Sequence, residues 1–154
     1  MTQTVPARRL RSGAALLAVA LMALVAAGCI MNPEARSLYD RTNALRASKG
    51  LPALAENHLL VTKAQRWAEH LASTGRLSHS KLSDGLEDLR WRALGENVAV
   101  HSPTADTLKT IHDRLAASPE HRANMLDPRF THLGVGVARS PDGRVWVVQV
   151  FAAV

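Results

Sequence analysis

The 154-residue sequence is poor in several things that small domains often rely on. It contains one cysteine, Cys29. No intrachain disulfide can form, so the fold must be held by its core alone. Aromatic residues make up only 4% of the chain, so that core is expected to consist mainly of Leu, Val and Ala. The apolar run at residues 14–27 is 14 residues long, short of the roughly 20 needed to span a bilayer as a helix. There is no G-x-S-x-G elbow, no H-E-x-x-H pair and no glycine-rich phosphate loop, which removes the motif-based routes to a serine hydrolase, a zincin or a nucleotide enzyme. The acids at residues 84–88 lack the register of an EF-hand. No internal repeat and no low-complexity segment is present.

Charge of one sign is also scarcer than the formal +6 suggests. Arg8, Arg9 and Arg11 lie in the first 28 residues, and the remainder carries 16 Lys and Arg against 13 Asp and Glu. No basic run with interleaved aromatics occurs, so a nucleic-acid partner is not expected. The small excess reads as a solvated surface with mild attraction to anionic envelope polymers.

What is present begins with the leader. Three arginines, the short apolar run and Gly28-Cys29 read as a signal peptide over residues 1–28. Val25-Ala26-Ala27-Gly28-Cys29 resembles a bacterial lipobox, with Ala26 where Leu is usual. The resemblance implies a diacylglycerol on the Cys29 thiol, and with it a membrane as partner and an extracytoplasmic, anchored location. The alternative is an ordinary cleaved signal. Residues 29–35 are then the lipidated cysteine and a short tether, and residues 36–154 form one domain.

At the end of that tether, Asn32-Pro33-Glu34 has the N-cap, first-turn proline and acid of a helix start that leads into the domain, with Gly50 as its end. Leu60, Ala64, Trp67, Ala68 and Leu71 share one face of a second helix over residues 57–74, closed by Gly75. A strand is expected over residues 95–100. Ser102-Pro103 and Ser118-Pro119-Glu120 repeat the helix-start signature. Residues 133–138 and 145–151 read as strands joined by the turn Pro141-Asp142-Gly143. Helices that outnumber strands around a small antiparallel sheet give an α+β class.

These motifs fall in the order of one family. Leu51-Pro52-Ala53-Leu54, Leu60, Ala64, Ala68 and Ser78-His79 resemble the N-terminal helix pair and first histidine of the CAP superfamily, the SCP-like extracellular domains. Gly95-Glu96-Asn97-Val98 is similar to its GEN motif. Ser118-Pro119-Glu120-His121-Arg122-Ala123-Asn124-Met125-Leu126 is similar to the bacterial SPGHRxNIL motif. Gly134-Val135-Gly136-Val137 and Val148-Gln149-Val150-Phe151-Ala152 resemble the closing hairpin. The resemblance covers about residues 36–153. It implies an α-β-α sandwich with a cleft lined by His79, His121 and Glu96.

In that cleft the resemblance makes His79 and His121 candidate metal ligands, with zinc as the possible cofactor. Glu96 is a candidate catalytic or ligand-binding carboxylate. Independently, His121 falls in the first turn of the helix that Ser118 opens, where the dipole favours a neutral imidazole, the form that binds metal. Glu96 has a second reading, as a structural carboxylate accepting backbone N–H groups in a turn that Gly95 permits. Asn97 and Asn124 read as amides bonding to backbone; Arg122 reads as the partner of Glu120 or Asp127, with an anion site near the cleft as the alternative. The helix before His121 departs from the larger family members. It contains no Glu, and Asp113 is its nearest acid. Three functions stay open: a binding module for a lipid, another small apolar ligand or an envelope partner; a structural envelope lipoprotein without ligand; and a metal-dependent hydrolase.

Overall fold

In the computed structural model, residues 31–154 are described. The signal peptide expected over residues 1–28, and Cys29, lie outside them. The order of elements is α1 (Pro33–Ala47), β1 (Ala55–Glu56), α2 (His58–Thr74), β2 (Ala93–His101), α3 (Thr107–Ala117), α4 (Pro119–Leu126), β3 (His132–Arg139) and β4 (Val145–Ala153). One sheet runs β1-β3-β4-β2. The three long strands are antiparallel, and β1 is a two-residue parallel addition at the β3 edge. No apolar pattern announces β1, because its two residues are exposed. The result is an α+β sandwich: α2 covers one face of the sheet, and α1, α3 and α4 cover the other.

The local signals explain most boundaries. The Asn32 side chain accepts the Ala35 N–H at 2.8 Å, and Pro33 follows it. The α-helical part of α1 ends at Ala47, and tighter turns carry the chain to Gly50 at φ 70°. Asn57 caps α2 by accepting from Leu59 and Leu60, and Gly75 closes it at φ 67°. The start expected at Ser102-Pro103 is not used. Asp106 is the cap of α3, accepting the Lys109 N–H at 3.0 Å, while the Thr107 hydroxyl holds the Thr104 N–H in the turn before it.

β4 is buried along its whole length. A strand covered on both faces shows a nearly continuous apolar run, which is the pattern at residues 145–151. Trp146, Val148, Val150 and Ala152 face the α2 side, whereas Val145, Val147, Phe151 and Ala153 join the cluster on the other side. Glycines set the spacing of the α2 layer. A Cβ at Gly134 would lie 2.2 Å from the Leu60 carbonyl carbon, and one at Gly136 2.3 Å from that of Ala64. The Gly-Val-Gly-Val pattern is therefore the bed on which α2 lies. No helix among the described residues is long and apolar enough to cross a membrane.

Candidate functional site

Strand β2 carries the site because consecutive residues point to opposite faces of the sheet. Leu94, Val98 and Val100 belong to the α2-side cluster. Glu96 shares their parity and emerges on that side, while Asn97 emerges on the side of α1, α3 and α4.

Glu96 is a loop anchor. Its side chain is 1% exposed. Oε1 accepts the Ser80 N–H at 2.8 Å and lies 2.8 Å from His79 Nδ1, and Oε2 accepts the Ser80 hydroxyl at 2.5 Å. The carboxylate thus fixes residues 79 and 80 after α2, and its oxygens face protein donors. His79 is oriented by this contact but stays largely in solvent, at 61% exposure. Gly95 is needed for a different reason than a tight turn. It lies inside β2, where a Cβ would come within 2.9 Å of the Phe130 ring and 3.0 Å of Asn124 Oδ1.

His121 stands on α4. Its Nδ1 is 3.0 Å from the Ser118 hydroxyl, so Ser118 meets the histidine and makes no side-chain cap. Beside it runs a cleft of about 250 Å³ along the open edge of β2. Leu77, Val98, Val100, Ile111 and Leu115 line it together with Arg114, Ser118 and His121. His79 is not among the lining residues, although Leu77, two residues before it, is. The structure thus joins His79 to Glu96, and places His121 in the cleft beside them without a bond to either.

Beneath the cleft runs a polar chain. Asn124 Nδ2 donates to the Glu96 carbonyl at 3.2 Å and to Asn97 Oδ1 at 2.9 Å. Asn97 Nδ2 donates to the His121 carbonyl at 3.1 Å and to Gln149 Oε1 at 3.0 Å. Gln149 Nε2 continues to the Thr42 hydroxyl, which donates to the Leu38 carbonyl. Asn97, Gln149 and Thr42 are fully buried, so satisfied hydrogen bonds are the condition for their presence. The sequence reading identified the two asparagines but missed Thr42 and Gln149. A glutamine inside an otherwise apolar strand was the available signal.

Arg46 was missed as well. It is fully buried and donates to the carbonyls of Pro52, Met125 and Asp127, tying α1 to the end of α4. Arg122 pairs with neither Glu120 nor Asp127. It donates to the Ala116 carbonyl at the end of α3, and Asp127 is held by Arg129. Asp113 is engaged by Lys109 at 2.6 Å on the surface.

These residues fit a zinc ion poorly. A catalytic zinc takes three protein ligands, and a structural one four. Here Glu96 is engaged by protein donors, and each imidazole has its Nδ1 beside another side chain, leaving at most two Nε2 atoms. Among the described residues no group of three or more His, Cys, Asp or Glu could hold a metal ion.

The sequence matches the model of the CAP family, described as the cysteine-rich secretory protein family, over residues 39–151. It is 27% identical over 129 residues to the uncharacterized protein YkwD of Bacillus subtilis, spanning 76% of this chain and 48% of that relative. Among solved structures, an extracellular protein containing a SCP domain from Bacillus anthracis superposes with a TM-score of 0.66 at 26% identity, over 81% of this chain and 42% of that one. An outer surface protein of Borrelia burgdorferi gives 0.67 at 17% identity, over 77% and 91%. NaASP2 with Zn²⁺ gives 0.56 at 16% identity, over 79% and 80%. The last two likenesses establish the fold alone. This chain spans less than half the length of the first two relatives.

Proposed function

The chain belongs to the CAP family of cysteine-rich secretory proteins, and from that premise we propose that it is an extracytoplasmic binding module. A lipid on Cys29 holds it to the membrane, and the cleft beside β2 takes a small apolar ligand. The observation that carries this reading is the lining of that cleft. Six aliphatic side chains, Ala99 among them, form its walls, and His101, Arg114, Ser118 and His121 supply polar groups beside them. Small-ligand sites combine apolar walls with a few polar groups that fix orientation. Leu77 remains 52% exposed at the rim, an apolar surface that a ligand would cover.

The hydrolase reading has less support. A general base must reach the water it activates, and the buried oxygens of Glu96 face Ser80 and His79. The reading as a structural lipoprotein without ligand has one observation in its favour. Glu96, Asn97 and Asn124 are all engaged in internal bonds, as fold determinants would be.

The test is a fluorescence titration with anilinonaphthalene sulfonate, competed with decanoate. Saturable binding that falls about tenfold in Leu77→Asp supports the cleft; a tenfold loss corresponds to about 1.4 kcal/mol. No saturable binding, or equal binding by the variant, favours the structural reading. Zinc is titrated in parallel against His79→Ala/His121→Ala. One-to-one binding lost in that double variant would reinstate the metal.

A further inference from the structure

A second cleft, of about 310 Å³, lies between α2 and the loop at residues 78–85, apart from the sheet-edge site. Lys63, Arg66, Trp67, His70, Ser80 and Lys81 line it. Asp84 is the one carboxylate residue in its lining, and Asp84 Oδ1 is held 3.0 Å from Lys81 Nζ. Lys63 and Arg66 are in ion-pair contact with no carboxylate among the described residues.

Lys63 is the unusual member. It is only 9% exposed. Its ammonium donates to the carbonyls of Lys81 at 2.8 Å and Asp84 at 3.1 Å, which leaves one of its three N–H donors over. Glu96, Asp84 and Glu87 act on it only from beyond contact, and burial pushes its pKa down. Buried charges are ordinarily paired. Here two carbonyl dipoles stand in for the counter-charge.

We propose that this cleft binds a phosphate group, with the Lys63 ammonium and the Arg66 guanidinium as its charged donors. Both groups suit phosphate, Lys as a point charge and Arg through its planar fork. Arg66 also lines a neighbouring cleft with Met31 and Asn32, which follow Cys29 in the sequence by two and three residues. If Cys29 is lipidated as proposed above, lipid headgroups become one source of the phosphate. The pocket itself does not depend on that reading.

The test uses the full chain with Cys29 unmodified, made by cell-free synthesis, so a failure of lipidation cannot be mistaken for a failure of the pocket. Inorganic phosphate is titrated at constant ionic strength while the Trp67 indole N–H resonance is followed by NMR. Vesicles of phosphatidylglycerol in phosphatidylcholine form the second arm, read by sedimentation. Saturable binding in either arm, weakened about tenfold by Arg66→Gln and by Lys63→Met, supports the proposal. The arm that saturates identifies the source. If Lys63→Met fails to fold, Arg66→Gln decides alone. No saturation in either arm, or unchanged binding in Arg66→Gln (an adventitious ion only), overturns it.

Discussion

Glu96 and His79 divide their roles by burial. The carboxylate is sealed and gives its oxygens to the loop after α2, while the imidazole it orients remains in solvent. Removing the carboxylate would leave the Ser80 N–H and hydroxyl without their acceptors. A buried group left unpaired costs about 1–3 kcal/mol. Glu96→Ala is therefore expected to lose about that much stability in urea denaturation, and to speed amide exchange at Ser80. An equally stable variant with unchanged exchange would show that the loop holds itself. The identity of Glu96 as a singled-out residue was legible in the Gly-Glu-Asn pattern. Its role was not, because a spacing along the chain does not say whether a carboxylate faces water or Ser80.

At the scale of elements, the contact between α2 and β3 is set by what is missing from β3. Gly134 and Gly136 let the α2 backbone approach to within a distance that a single Cβ would violate. The obstacle is helix backbone at Leu60 and Ala64, which cannot swing aside as a side chain can. Gly134→Ala is expected to cost about 3 kcal/mol, at the upper end of overpacking effects, measured as a lower urea midpoint. Gly143→Ala offers the contrast. It occupies a turn at φ 82° with its nearest neighbour at 3.4 Å, so its cost should be that of backbone strain, about 1 kcal/mol. A Gly134→Ala protein no less stable than Gly143→Ala would mean that α2 can shift along the sheet.

For the molecule as a whole, stability should fall on mild acidification, and His112 is one source. It is half-buried on α3, with Nδ1 buried and without a partner. Burial holds its pKa below the ordinary 6.5, Arg41 and Lys109 push the same way, and Asp113 opposes them. Below pH 6.5 the unfolded chain takes up a proton that the folded protein refuses, so stability drops as pH falls and levels out below the folded pKa. Above pH 6.5 the contribution is fully retained. Melting temperatures of the parent and of His112→Leu, compared from pH 7.5 to 4.5, should show a shallower acid slope in the variant. Parallel slopes would assign the effect to other groups.

The sequence by itself determined the α+β class, the family, the Asn32 cap of α1, the Gly75 end of α2, and the hairpin. Each of these is encoded locally, by a cap, a turn residue or a repeat of apolar positions. It also marked Glu96, His79 and His121, because motif residues survive as letters whatever surrounds them. Only the tertiary structure decided that β1 adds in parallel, that Arg46 joins α1 to α4, and that Lys63 ends its side chain against the carbonyls of a distant loop. It alone decided that Glu96 is sealed while His79 is wet. Burial and partners between segments far apart in sequence depend on how the layers meet, and no local pattern carries that information.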